Sequence, residues 1–179
     1  MILDVLRDAL DGLGRAEVDS LIIGGVAMNY YGYNRATSDI DFMMVSDELS
    51  RVRRAMVDAG FMNVDVRDNV VFFNKPNNSV RVDFLQIDQT TMNTLLSRSS
   101  EVDFEGRKMK IPDSKDLIAM KLFALHENWE RRAGKDVPDI LYLIRTFGFD
   151  VERDIKPLAM RFASNDVYSR ICEARNSAV

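Results

Sequence analysis

Leu21-Ile22-Ile23 runs directly into Gly24-Gly25. A short apolar run stopped by two glycines reads as a buried strand meeting a tight turn. Residues 26–32 then read as a short helix. The junction commits the first part of the chain to strands mixed with helices. It also has a chemical meaning. A strand-to-helix turn presents free backbone N–H groups and a positive helix end, which suits phosphate. Glycines let phosphate oxygens approach without a Cβ in the way. Taken alone, Gly24-Gly25 is equally a plain turn. No G-K-[ST] follows, so it is not a Walker A loop, and the G-x-G-x-x-G spacing of a dinucleotide site is missing.

Asp39-Ile40-Asp41 follows a short way downstream. Residues 39–45 read as a strand. Successive side chains of a strand alternate between faces, so Asp39 and Asp41 project together, roughly 6–7 Å apart along it. Ile40 and Phe42 face the other way, toward a core. Two carboxylates on one face repel unless a cation lies between them. Magnesium takes hard oxygen ligands, one or two carboxylates with phosphates and water. Asp83 lies inside Val80-Arg81-Val82-Asp83-Phe84-Leu85, a strongly β-prone run in which an acid is disfavoured. If that strand neighbours residues 39–45, the three acids share one patch. Each piece also has a bland reading: D-x-D is often a solvated pair on an exposed strand, and a lone strand Asp is often an edge charge. Arg35, between the turn and the D-x-D, is placed to meet a carboxylate or a phosphate, or to stay on the surface.

The remaining pattern supplies the frame. Leu3, Leu6, Leu10 and Leu13 have helical spacing, which predicts a helix over 2–14. Ser46 is positioned as an N-cap for a helix that Gly60 ends. Residues 61–66, 70–74 and 80–87 read as a β-meander, with turns at Asp68-Asn69 and Pro76-Asn77-Asn78. A helix is expected over 89–98, and a hairpin over 102–111 turning at Glu105-Gly106. Beyond Pro112 the chain reads as helices only: 114–129 with Ser114 as cap, 135–147, 151–162 capped by Asp150, and 166–175. The boundary divides an α/β domain, 1–112, from a helical domain, 113–179, packed on it.

Composition closes several alternatives. Of the 179 residues 46% are hydrophobic, enough for a packed core without staples. Cys172 and His126 are single, which excludes an intrachain disulfide, a cysteine zinc site and H-E-x-x-H chemistry. One cysteine, no apolar stretch of membrane length and an acidic N-terminus without a signal pattern point to a cytoplasmic protein that contacts no membrane. The net charge of −4 disfavours broad duplex binding but allows a nucleotide whose charge a metal offsets.

Residues 21–42, LIIGGVAMNYYGYNRATSDIDF, with Asp83 later on a further strand, resemble the signature of the DNA polymerase β-like nucleotidyltransferase superfamily. Gly32, Arg35 and Thr37 resemble its small branch that includes the AbiEii-type toxins of type IV toxin–antitoxin systems. The second half is similar too: Lys121 inside an apolar helical run, then Arg131-Arg132-Ala133-Gly134-Lys135-Asp136 and Asp139. The resemblance spans residues 19–145. It departs in one place, since many members carry Ser where this chain has Gly25, and a hydroxyl contact is lost.

The resemblance implies an α+β nucleotidyltransferase fold: a small mixed sheet flanked by helices, then a helical part. It implies transfer of a nucleoside monophosphate from an NTP to an acceptor hydroxyl. Asp39, Asp41 and Asp83 would hold magnesium, two ions, with manganese as an alternative. Gly24, Gly25, Arg35, Thr37 and Lys121 would bind the nucleotide, with Lys121 counted among the catalytic residues. Asp136 and Asp139 would support the site. On the residues alone these two acids, at i and i+3, also read as an N-terminal pair favouring the helix dipole. The acceptor is left open among RNA, protein and a small molecule, and a cognate antitoxin is an expected partner. Two alternatives stand beside this reading: an antibiotic-type small-molecule nucleotidyltransferase, and a catalytically silent domain that binds nucleotide or a partner.

Overall fold

The computed structural model describes residues 2–177, and residues 63 and 64 by backbone alone. The chain divides into two compact units, residues 1–113 and 114–179.

The first unit is built on a five-stranded mixed sheet. Its strands are β1 (Ser20–Ile23), β2 (Asp39–Val45), β3 (Met62–Arg67), β4 (Val70–Asn74) and β5 (Arg81–Ile87), in the order β1-β2-β5-β4-β3. Strands β3, β4 and β5 form the expected antiparallel meander, and β1 is antiparallel to β2. The parallel pairing of β2 with β5 is central to the site. It sets Phe42 beside Phe84, and their rings stack 5.0 Å apart while Phe73 meets Phe84 edge-on. All three rings are fully buried. This aromatic core face fixes the register, because a slip of one residue would turn Asp41 and Asp83 into it.

Helices α1 (Ile2–Arg15) and α3 (Leu49–Asp58) lie against each other and against the sheet. Helix α2 (Gly24–Tyr30) follows β1, and α4 (Gln89–Leu96) follows β5, with Asp88 capping it through the Thr91 N–H. The hairpin of β6 (Ser100–Phe104) and β7 (Arg107–Ile111) is tied to α1, where Arg107 grips Asp11 with two nitrogens at 2.7 and 2.8 Å.

The second unit is helical: α5 (Ser114–Glu127), α6 (Trp129–Phe147), α7 (Lys156–Phe162) and α8 (Asn165–Ser177). Ile140, Leu143, Ile155, Ala159 and Ile171 are fully buried there. No helix among the described residues is long and apolar enough to cross a membrane.

Four local expectations are corrected. Helix α2 begins at Gly24 instead of residue 26. Ser46 caps nothing: it opens a 3-10 turn, Ser46–Glu48, and its hydroxyl donates to the Ile87 carbonyl at 3.2 Å. Helix α6 starts at Trp129, six residues before the expected 135, because Asn128 accepts from the Arg131 N–H and caps an earlier start. Asp136 and Asp139 are therefore mid-helix, not a first-turn pair. Finally, the expected helix over 151–162 opens with a π-helical turn, Val151–Ile155, capped by Asp150 as read from the sequence.

Candidate functional site

The parallel pairing of β2 and β5 sets Asp41 directly beside Asp83, and Asp39 beside Arg81. Side-chain alternation then puts all four groups on one face. Oxygens of Asp39, Asp41 and Asp83 all lie within 4.8 Å of one another. Asp83 is buried at 8% exposure, while Asp39 and Asp41 are partly exposed at the edge of the cluster.

The glycine turn is part of the same construction. Ile23, the last residue of β1, pairs with Asp41, so the next residue lies over the Asp41 side chain. Gly24 has φ +62°, and a Cβ there would fall 1.9 Å from Asp41 Oδ2. A Cβ on Gly25 would fall 2.5 Å from Thr37 Oγ1. Real Cβ atoms do not approach neighbours so closely. The sequence argument gave these glycines to an incoming phosphate. The structure shows a first duty inside the protein, admitting the Asp41 carboxylate and the Thr37 hydroxyl. Thr37 in turn donates to Asp39 Oδ1 at 3.0 Å and so orients that carboxylate. The Thr37 side chain fills the space that any side chain at 25 would enter first.

Arg81 is the member that sequence reasoning missed. Its Nε and one terminal nitrogen each donate to a different oxygen of Asp83, both at 2.6 Å. The guanidinium also lies over the Phe72 ring, 4.7 Å from its centre. Hydrogen bonding to Asp83 raises its pKa above the ordinary value against a desolvation penalty, and the fields of Asp83, Asp39 and Asp41 add to the rise. The signal was available: Arg81 stands two residues before Asp83 on a strand, hence on the same face.

The other expected site residues are placed as follows. Arg35 has its backbone N–H bonded to Asn29 Oδ1 at 3.2 Å, and its side chain is half-buried. Lys121, Asp136 and Asp139 form a cluster within the helical unit. The Lys121 ammonium lies 2.6 Å from Asp139 and 3.3 Å from Asp136, with 4% exposure for the lysine and none for either acid. Arg132 joins the cluster at 2.6 Å from Asp136.

The donor set of the first unit fits a hard divalent cation. Oxygens bound to one octahedral magnesium stand roughly 3–4 Å apart, close to the 4.8 Å span here. Three carboxylates at that separation need positive charge among them. The Arg81 guanidinium supplies part of it.

Comparison with known proteins identifies the fold. No protein of curated function matches the chain by sequence. Among solved structures, the antibiotic-resistance factor ANT(2'')-Ia superposes with a TM-score of 0.71 at 12% identity, covering 98% of this chain and 97% of that one. A Thermotoga maritima protein described as a "putative nucleotidyltransferase" gives 0.54 at 16% identity, over 74% of this chain and 91% of that one. The lincosamide antibiotic adenylyltransferase LnuA gives 0.51 at 16%, over 75% and 90%. At these identities the likeness establishes a shared nucleotidyltransferase fold. The family profile described as "Nucleotidyl transferase AbiEii toxin, Type IV TA system" matches residues 17–175. The chain thus belongs to the AbiEii nucleotidyltransferase toxin family.

Proposed function

We propose that this protein transfers a nucleoside monophosphate from an NTP to an acceptor hydroxyl, using divalent metal held by Asp39, Asp41 and Asp83. The observation that carries the reading is the meeting of these three carboxylates on neighbouring parallel strands beside the Gly24-Gly25 turn.

When bound, magnesium supplies charge neutralisation for the triphosphate and for the leaving pyrophosphate. The chain's own part is positioning and proton transfer. Asp39 and Asp41 present oxygens from one strand face, with Asp39 steadied by the Thr37 hydroxyl. Gly24 keeps Asp41 seated, and the N–H groups of the turn would serve the polyphosphate. Asp83, the most buried of the three, accepts the proton of the attacking hydroxyl as general base or serves as a further ligand. Arg35, which lies in sequence between the turn and the Asp39-Ile40-Asp41 strand, is assigned to the phosphates. The Lys121 cluster reads differently here than the resemblance implied. An ammonium 4% exposed and held by two buried carboxylates neutralises them first, which favours a structural role over phosphate contact.

Acceptor classes follow from two sources. Family membership favours a macromolecular acceptor, RNA or protein, within a toxin–antitoxin pair whose antitoxin would be the cognate partner. The full-length likeness to ANT(2'')-Ia supports the second reading, a small-molecule acceptor. The deciding experiment incubates the protein with each α-labelled NTP, magnesium and, separately, tRNA, cell protein and aminoglycosides. Label on tRNA or protein supports the first reading, and label on the drug alone supports the second. No transfer to any acceptor from any NTP refutes both.

A further inference from the structure

Three acids with oxygens within 4.8 Å of one another need a compensating cation whenever metal is absent. The protein supplies one. Arg81 is the cross-strand neighbour of Asp39 and stands two residues from Asp83 on the same strand. Its planar fork takes both oxygens of Asp83 at 2.6 Å, the geometry in which a guanidinium is strongest. We propose that Arg81 is an internal counter-ion of the triad, a positioning residue that holds Asp83 until divalent metal displaces it. The inference rests on the triad being the metal site.

Three features make Arg81 a replaceable cation and not a permanent ion pair. Its side chain is half exposed, at 50%, while that of Asp83 is 11% exposed. Water therefore reaches the guanidinium and offers it a way out, whereas Asp83 stays fixed in the strand. Second, Phe72 lies under the guanidinium and guides its plane without a charged bond. Third, the oxygens it holds are those a metal needs. A dication next to Asp83 repels a guanidinium left there, since like charges a few ångströms apart in a partly dry site interact strongly. Metal and Arg81 thus compete for one carboxylate. While the fork is closed, one acceptor site on each Asp83 oxygen is committed to Arg81.

A merely structural Arg81 and a competing Arg81 give opposite results on metal affinity. If the arginine only supports the site, its loss weakens metal binding. If it competes, its loss strengthens binding. The test is calorimetric titration of the full chain with Mn2+ alone, in wild type, Arg81→Gln and Arg81→Lys, with circular dichroism to establish the fold. Arg81→Gln is expected to bind Mn2+ roughly tenfold tighter, the scale of one charged hydrogen-bonded contact removed from the competition. Arg81→Lys, which keeps charge but loses the fork, is expected to fall between the two. Equal or weaker binding by a folded Arg81→Gln overturns the proposal while leaving the metal site intact. No Mn2+ binding by any of the three overturns both the proposal and the metal reading beneath it. Should Arg81→Gln not fold, the wild-type chain decides. The Arg81 Nε–H resonance is expected to shift and lose protection as Mg2+ saturates the site, and an unchanged resonance refutes displacement.

Discussion

The Asp41 carboxylate occupies the space that a side chain at position 24 would need: a Cβ on Gly24 would lie 1.9 Å from Asp41 Oδ2 and 2.7 Å from its Cγ. Backbone turn and the Asp41 carboxylate proposed to ligate metal are thereby one unit. Gly24→Ala forces Asp41 out of place and also puts alanine at φ +62°. The expected cost is about 1–3 kcal/mol of stability from the strained backbone. Transferase activity should fall further than stability does. Chemical denaturation together with label transfer separates the two, and full activity in Gly24→Ala would show that Asp41 need not lie against the turn.

Gly25 and Thr37 form a second coupled pair. Gly25→Ser brings a Cβ within 2.5 Å of Thr37 Oγ1. The single variant should be destabilised, and adding Thr37→Ala should recover part of the loss. A double-mutant cycle is expected to give about 0.5–3 kcal/mol of coupling, the range for residues in contact. Additive effects would mean that the serine hydroxyl and the Thr37 hydroxyl do not compete for one place.

Lys121→Met leaves Asp136 and Asp139, both fully buried, short of one cation. Removing one partner of a buried ion pair costs about 3–5 kcal/mol, and urea unfolding should show a loss of that order. Arg132→Ala should cost less, because Arg132 is 38% exposed and water takes over part of its role. If Lys121→Met is as stable as wild type but inactive, the lysine serves substrate and not the helical core.

Much of this arrangement is legible from the residues, and what is not has a physical reason. The shared face of Asp39 and Asp41 follows from strand alternation alone, and the aromatic core opposite them from the same period. The place of Asp83 beside them does not. Strands β2 and β5 are separated in sequence by α3 and two further strands, and a parallel pairing across that distance is decided by tertiary packing. Arg81 was within reach, since R-x-D on a strand shares a face, but an inspection for acids passes over the base that neutralises them. The early start of α6 was hidden because Gly134 and the run of charges around it interrupt the apolar period, while the Asn128 cap acts through a single hydrogen bond. The partners of Lys121 depend on how α5 and α6 pair, which no local pattern states.

Asp154 provides a pH test of the helical unit. Arg153 first, then Lys115, then the Asp150 N–H hold its carboxyl well below the ordinary value of 3.8. A depressed carboxyl stabilises the fold fully above its unfolded pKa, and that contribution is lost as pH falls toward the folded value. Stability measured between about pH 5 and pH 2 should therefore decline in wild type, and less steeply in Asp154→Asn. The variant should also be less stable at neutral pH. Parallel acid profiles would remove Asp154 from the account.

The central claim, that Asp39, Asp41 and Asp83 are one metal-dependent transfer centre, is tested most directly by α-label transfer. The comparison is wild type with Mg2+, wild type with excess chelator, and Asp41→Asn with Mg2+, at matched folding by circular dichroism. The account predicts label on acceptor in the first and loss of at least about two orders of magnitude in the other two, as expected when positioned charge stabilisation is removed. Transfer that persists with chelator present, or in a folded Asp41→Asn, would contradict it.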